Sequence, residues 1–271
     1  MNNTFNIKRF GLVMRKDFQE NWKKYALQFL AMFGIIALVL CLQSNSRYRG
    51  GFLEGIDSEL LFLVSAMFLG FGVVFASTFT EPMRSKIKRG MYLMNPASIL
   101  EKYLSRWIIV TIGYIIAFFV AFWFADLIRV AIYSVSYPEI DVHMLDFGKL
   151  ITNNGLFESN SEFAIAVGVF FFLQSICVLG STFWEKASFV KTFAASVIIV
   201  LLFFLLADWT ISIFYADYSQ FSNVTDSIFG SGKITDDEIY IIIAGIFMFS
   251  ALVSWTIAFF RFRESEIIKR W

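Results

Sequence analysis

The sequence predicts an all-α, polytopic membrane protein with six transmembrane helices, preceded by an N-terminal amphipathic interfacial helix, with both termini in the cytoplasm. Two observations predict this fold class. Hydrophobic residues make up 58% of the 271-residue chain and charged residues only 17%, whereas soluble domains are about 45–50% apolar. The apolar residues are also concentrated in stretches that approach the roughly 20 residues a helix needs to cross a bilayer.

Six stretches meet this length requirement and are nearly free of charge. They are Tyr25–Leu42, Leu60–Phe79, Trp107–Leu127, Phe163–Phe183, Phe189–Ala207 and Ile239–Phe260. They define a predicted transmembrane domain over residues 25–260. The first stretch follows a basic segment and lacks a small-residue cleavage pattern, so we expect a retained anchor and not a signal peptide.

Charged and metal-ligating residues are rare inside these stretches. Asp126 lies in the last predicted turn of the third stretch, and Asp208 follows the fifth. Carboxylates at mid-membrane depth are the usual mark of an ion pathway, so these positions argue against a proton-coupled carrier. The single histidine, His143, is in a loop. An intramembrane hydrolase needs several such ligands, or a nucleophile with a base, and is therefore disfavoured.

Basic residues indicate how the chain is oriented, because cytoplasmic loops carry an excess of lysine and arginine. Eighteen of the 23 lysines and arginines lie in four segments that alternate with the predicted spans. These are the N-terminal segment, the loop at 80–106, the turn at 184–191 and the tail at 261–271. We expect all four in the cytoplasm. The positive charge of these segments is explained either by membrane topology together with attraction to anionic lipid, or by docking of a cytosolic partner.

Residues 1–24 are predicted to form a cytoplasmic amphipathic helix. Phe10, Met14, Phe18 and Trp22 are spaced four residues apart, which places them on one helical face. A helix of this kind lies in the plane of the membrane interface. It is either a simple lipid-surface anchor or an elbow that transmits motion to the first span.

The loop at 80–106 carries the clearest local signals. Gly90 predicts a helix end, and Pro96 predicts a break, because the residue before a proline avoids the helical conformation. Ser98 and Glu101 have the spacing of a capping box, in which each side chain accepts a hydrogen bond from the other residue's backbone amide. We expect a short helix, a break at Pro96 and a capped helix that continues into the third span.

The connection between the fourth and fifth stretches is short and contains Glu185 and Lys186. It predicts an antiparallel helical hairpin with a small cytoplasmic tip. The tip is either an ordinary turn with lysines that extend toward the aqueous side or a contact surface for a partner.

Together these segments resemble the membrane-spanning (permease) subunit of a bacterial ABC transporter of the type-2 exporter family. The resemblance rests on the N-terminal helix Phe5–Tyr25, on Asn95-Pro96-Ala97-Ser98-x-x-Glu101-Lys102-Tyr103-Leu104, and on the hairpin from Gly180 to Thr192. The family pattern usually has an apolar residue before Pro-Ala-Ser, where this chain has Asn95.

The resemblance implies a permease that works with a separate cytosolic ABC ATPase subunit, and with a second copy or a homologous permease subunit, in the bacterial inner membrane. The phenylalanine-rich spans favour a hydrophobic or amphiphilic substrate. In that family, short cytoplasmic helices carry ATPase movements into the spans, so residues 80–106 would be the coupling loop. The candidate docking and coupling residues are Arg84, Lys86, Lys88, Arg89, Tyr92, Pro96, Ser98, Glu101, Lys102, Glu185 and Lys186.

The sequence has no G-x-x-x-x-G-K-[ST] phosphate-binding loop. We therefore expect no catalytic residue, metal or cofactor in this chain, with ATP and Mg²⁺ bound by the partner ATPase, and no nucleic-acid partner. Cys41 and Cys177 lie in apolar stretches and are predicted to be unpaired. The alternative function is a non-transporting six-span membrane scaffold, sensor or immunity subunit, because many unrelated proteins share this architecture.

Overall fold

The computed structural model describes residues 5–51, 55–83, 89–90, 92, 94–140, 142–146, 156–157, 159–184, 187–214 and 235–267. Its regular structure is helical. Six helices are long and apolar enough to cross a membrane. This confirms the prediction of a multi-pass, all-α membrane protein.

The helices are α1 (Ile7–Gly50), α2 (Ile56–Ala76), α3 (Ile99–Ile108), α4 (Tyr114–Ser136), α5 (Asn160–Phe183), α6 (Ser188–Phe214) and α7 (Asp236–Ile267). A 3₁₀ turn at Glu81–Met83 follows α2, and a π-helical segment at Ile109–Gly113 joins α3 to α4. Each of the six predicted apolar stretches lies inside one of the six long helical runs.

α1 is one helix of 44 residues that contains both the predicted interfacial helix and the first apolar stretch. No glycine or proline lies between Gly11 and Gly34, so no residue interrupts the helix near the expected junction at residue 24. Asn6 caps its start, because the Asn6 Oδ1 accepts a hydrogen bond from the Lys8 amide at 3.0 Å. Gly51 ends it in the left-handed conformation, with a φ of 69°.

The apolar stripe predicted in the first part of α1 faces away from the bundle. Phe18 and Trp22 are 59% and 54% exposed, and Phe10 and Met14 are half-buried. The inward face instead carries Asp17, which is buried. The spacing therefore identified a common face correctly, but the packed face of this segment carries Val13 and Asp17 and is not the aromatic one.

Two apolar clusters form the core. The larger joins α1, α2, α4 and α5 around residues such as Ile36, Leu60 and Phe118. The second lies toward the start of α3 and the end of α7, and it includes Tyr103 and Phe262. The clusters use one face of the helices that form them, and no described residue of α6 belongs to either cluster. The opposite faces of those helices, and α6, present large exposed apolar side chains, as expected for helices in contact with lipid.

Close helix packing depends on several glycines, including Gly180 of α5, where a Cβ atom would collide with the Thr192 side chain of α6. A Cβ atom on Gly168 of α5 would lie 3.1 Å from the Ala244 carbonyl oxygen of α7, and one on Gly72 of α2 would lie 2.7 Å from the Phe170 ring. The α5–α7 pair has the most extensive packing among the described elements. By contrast, all side chains from Val197 to Leu206 in α6 are exposed, and α6 packs chiefly against α5.

Two local predictions are wrong. Gly90 does not end a helix, because residues 89, 90 and 92 are helical and the Met94 amide donates to the Gly90 carbonyl at 3.0 Å.

Asp126 does not lie in a last turn, since α4 continues to Ser136. Asp126 is buried beside Arg129, whose Nε donates to its carboxylate at 2.7 Å. The arginine neutralises the acid inside the helix bundle.

Candidate functional site

The basic segments of the chain meet at one end of the bundle, called the basic end below. The start of α1 touches the start of α3, since the Asn6 amide donates to Glu101 at 2.8 Å. The chain after α2 touches the end of α5, since the Thr80 hydroxyl donates to the Ser181 carbonyl at 2.6 Å. Phe262 near the end of α7 joins the same region by packing edge-on against aromatic rings of α3 and of the segment after α2. The two ends of the described chain therefore lie at the same end of the bundle.

The carboxylate of Glu101 is the centre of this region. Its side chain is fully buried, and it accepts two parallel hydrogen bonds of 2.7 Å from the Arg9 guanidinium. The Asn6 amide donates to it at 2.8 Å and the Ser98 amide at 2.9 Å. Bidentate arginine–carboxylate pairs are the strongest and most directional of the charged hydrogen bonds. Glu101 thus joins the first residues of α1 to the first turn of α3.

These donors also fix the charge of Glu101. The hydrogen bonds from Arg9 outweigh the effect of burial and, with those from Asn6 and Ser98, lower the pKa of the Glu101 carboxyl from the usual 4.5 to about 2. Glu101 is therefore ionised at every physiological pH.

The predicted capping box is confirmed. The Ser98 hydroxyl accepts a hydrogen bond from the Glu101 amide at 3.3 Å, while the Glu101 carboxylate accepts one from the Ser98 amide. Pro96 lies in the non-helical residues just before this cap. One side chain, Glu101, therefore both starts α3 and holds Arg9.

A second buried ion pair lies about two helical turns further along α1. The Arg106 Nη1 donates to the Asp17 carboxylate at 2.8 Å and to the Tyr25 hydroxyl at 2.9 Å. The Arg106 Nε and Nη2 reach the carbonyls of Phe79 and Thr78, both at 3.2 Å. Arg106 therefore links α3 to α1 and to the chain that leaves α2.

The rest of the loop at 80–106 is held by contacts within the chain. Lys24 of α1 pairs with Glu81. Arg89 donates from two of its nitrogens to the Met83 carbonyl, at 3.1 and 3.2 Å. The Tyr92 hydroxyl donates to the Lys102 carbonyl at 3.2 Å. The loop is thus anchored to α1 on one side and to α3 on the other.

A polar cavity of about 580 Å³ lies between the inward face of α1 and this loop. Both signs of charge line it, including Lys16, Glu20 and Glu81. The hydroxyl of Ser105 is buried in its wall and has no hydrogen-bond partner among the described residues. Polar groups of this kind suit contact with water or protein, and they do not suit an apolar ligand.

The structure describes about half of the predicted docking residues. Arg84, Lys86, Lys88, Glu185 and Lys186 lie outside the described residues. Arg89, Tyr92 and Ser98 are bonded within the loop or to α3, and Pro96 is exposed. Glu101 and Lys102 are buried, so their contacts are with this chain.

Sequence reasoning missed the pair of Asp17 and Arg106. A signal was present, because Asp17, Asn21 and Tyr25 are spaced four residues apart and form a second, polar stripe beside the aromatic one. An acid on a stripe of hydrogen-bonding residues, in a helical segment rich in basic residues, is consistent with a buried basic partner. The partner's identity depends on tertiary packing and could not be predicted from this spacing.

No group of three or more His, Cys, Asp or Glu side chains that could hold a metal ion occurs among the described residues. Cys41 and Cys177 are both free thiols. The site is therefore a set of ion pairs and caps that connects helices.

No protein-family model matches the chain, and neither a curated protein nor a solved structure is significantly similar to it. The fold and the site define the class as a multi-pass α-helical membrane protein whose basic segments are gathered at one end of its helix bundle.

Proposed function

We propose that this chain is the membrane-spanning (permease) subunit of a bacterial ATP-driven exporter of the type-2 ABC class, and that it works with a separate cytosolic ATPase subunit. The observation that supports this proposal best is the bidentate contact of Arg9 with the buried carboxylate of Glu101. It ties α1 to the capped helix that continues through the π-helical segment to Ser136, a run of 38 residues. Movement of the loop at 80–106 would therefore reach two long spans together.

In this proposal the basic end faces the cytoplasm of the inner membrane, with both termini on that side. The support is the charge distribution, because the four segments rich in lysine and arginine favour the cytoplasmic side. Contacts of Asn6 with Glu101 and of Thr80 with Ser181 bring segments predicted to share that side together in space. The outward apolar stripe of α1, with Phe18 and Trp22 exposed, is consistent with an interfacial location for the start of this helix.

The ATPase would dock on the loop at 80–106 and on the hairpin tip near residue 185. Arg84, Lys86 and Lys88 would supply positive charge that steers an acidic surface of the partner. Glu101 and Lys102 would act behind this surface, since they are buried, and would pass the displacement to α1 and α3. ATP and Mg²⁺ would be bound by the ATPase.

A second copy of the chain, or a homologous permease subunit, would complete the transporter in the membrane. The substrate would be hydrophobic or amphiphilic, in keeping with spans that carry many phenylalanines and few charges. Residues that contact the substrate are not assigned.

Affinity purification of the tagged chain from its native membranes tests the proposal. We expect an ABC ATPase to co-purify, and its ATPase activity to depend on the permease. The variant R84S/K86S/K88S should lose ATPase binding yet insert normally. The matched control R49S/K149S/K233S removes three positive charges from the predicted opposite side and should retain binding. Repeated purification without any ATPase would favour the scaffold, sensor or immunity role.

A further inference from the structure

A large apolar cavity lies among α2, α4 and α5, away from the basic end. Its volume is about 710 Å³, which is within the range of about 300–1,000 Å³ typical of sites for organic ligands. Its walls are formed by residues within 62–69 of α2, 115–119 of α4 and 163–171 of α5, with Leu156 and Phe157 also lining it. The three helical walls all lie inside predicted membrane-spanning stretches.

The floor of this cavity is a fixed set of aromatic rings. Phe118 and Phe170 are almost completely buried, at 1% and 4% exposure. The Phe68 ring stacks on Phe170 with centroids 4.4 Å apart and meets Phe118 edge-on at 5.0 Å. Because these rings hold one another in place, the cavity is a preformed feature of the packed core and not a gap between loosely placed helices.

Water is a poor occupant of this cavity. Ser65 is the only polar side chain among the described residues that line it, whereas a buried water needs two to four polar partners. An empty space of this size would leave its lining without contacts and would therefore be unfavourable. An apolar occupant is the remaining possibility.

The rim of the cavity lies on the apolar circumference of the bundle. Phe62 and Phe119 line the cavity, and they are also 58% and 44% exposed. At this depth of a membrane protein the surrounding solvent is lipid hydrocarbon. Hydrocarbon chains can therefore reach the cavity directly from the bilayer.

Polar groups precede the α5 wall of the cavity in the chain. Phe157, which lines it, packs against Phe163 with ring centroids 5.7 Å apart. Just before Phe163, the hydroxyls of Ser159 and Ser161 are 2.7 Å apart, and Ser161 is bonded to Asp237. Because Ser159 comes one helical turn before Phe163, which lines the cavity, a ligand with a hydrocarbon chain and a polar terminus suits this arrangement.

We propose that this cavity binds one acyl chain of a bilayer lipid, with the lipid headgroup on the side of Ser159 at the start of α5. The inference depends on the membrane location and on the cavity, and it does not require an ATPase partner. It can therefore stand or fail separately from the transport function.

Photo-crosslinking in proteoliposomes tests the inference with the full-length protein. The probe is phosphatidylcholine that carries a diazirine in one acyl chain, and labelled residues are mapped by mass spectrometry. We expect labelling to be enriched at residues 62–69, 115–119 and 163–171 over the exposed face of α6 at 197–206. Equal labelling of the two regions would show only general lipid contact and would overturn the proposal.

Variants that fill the cavity from two of its helical walls, α5 and α2, provide a second measurement. A166W and S65F should lose the labelling of cavity residues while labelling of α6 persists. The matched control A194W adds the same indole to an exposed alanine of α6 and should keep the cavity labelling. Unchanged cavity labelling in both filling variants would refute binding inside the cavity. The wild-type labelling map remains decisive if neither filling variant is monodisperse.

Discussion

The guanidinium of Arg106 lies 2.8 Å from the carboxylate of Asp17, although 89 positions separate the two residues in the sequence. The side chains are only 3% and 7% exposed. Removal of one partner from such a pair leaves the other charge buried and uncompensated, which costs about 3–5 kcal/mol. The pair connects the inward face of α1 to the start of the third span. Its loss should therefore destabilise the packing of the helices at the basic end.

The substitution D17N should therefore lower the free energy of unfolding by about 3–5 kcal/mol. It keeps the shape of the side chain, removes the charge that faces Arg106 and replaces one acceptor oxygen by an NH2 donor. The melting temperature in detergent can be followed with a fluorophore that reacts with the buried Cys177 thiol as the protein unfolds. The control E20Q breaks only the exposed ion pair with Lys16, which is worth about 0–1 kcal/mol. Equal melting temperatures for D17N and E20Q would contradict the prediction.

The contact of Arg9 with Glu101 should make stability depend on pH in acid. The folded-state pKa of Glu101 is lowered from 4.5 to about 2, so the folded state favours the ionised carboxylate. Its contribution is fully present above pH 4.5 and is lost as the pH falls from about 4.5 toward 2. The melting-temperature difference between the wild type and E101Q should be constant from pH 8 to 5 and shrink below pH 4.5. A difference that stays constant down to pH 3 would show that the Glu101 charge does not stabilise the fold.

The two neighbouring glycines of α2 should respond differently to alanine. A Cβ on Gly72 would lie 2.7 Å from the Phe170 ring and 3.1 Å from the Tyr114 ring, whereas one on Gly70 would meet nothing within 4 Å. Overpacking of a tight core costs typically about 1–3 kcal/mol. We expect G72A to lose about that much stability, and G70A to be neutral or slightly stabilised because alanine favours the helix. Thermal unfolding of the two variants measures the contrast, and similar losses in both would argue against this packing.

Opposite ends of α1 should lie on opposite sides of the membrane. Lys16 near the start of the helix is 46% exposed at its side chain, and Arg49 near its end is exposed. In a background that lacks Cys41 and Cys177, a membrane-impermeant thiol reagent should label R49C in intact spheroplasts. It should label K16C only after the cells are broken. The reverse pattern would overturn the proposed orientation.

Sequence patterns predicted those parts of the structure that depend on local chemistry. The six apolar stretches correspond to the six long helices, and the Ser98–Glu101 box forms as its spacing indicates. The contacts that join distant elements were not predictable in the same way. Nothing in the spacing of Glu101 selects Arg9 as its partner, and the pairing of Asp17 with Arg106 depends on how α1 packs against α3. Helix ends were also not predictable, since the third predicted apolar stretch ends at Leu127, before Arg129, whereas α4 continues to Ser136.

The uninterrupted course of α1 has a mechanical consequence. A helix of 44 residues is roughly 66 Å long at about 1.5 Å per residue, about twice the thickness of the hydrocarbon core. If this helix moves as one rigid rod, a sideways push on the end near Asn6 would swing the opposite end the other way. That opposite end carries Tyr48, whose ring lies 5.1 Å from that of Tyr133 and 5.7 Å from that of Tyr137. A displacement of α1 at one membrane surface would thus move the tyrosine cluster at the other surface. No loop interrupts α1 between the two surfaces, so no flexible segment would reduce this movement.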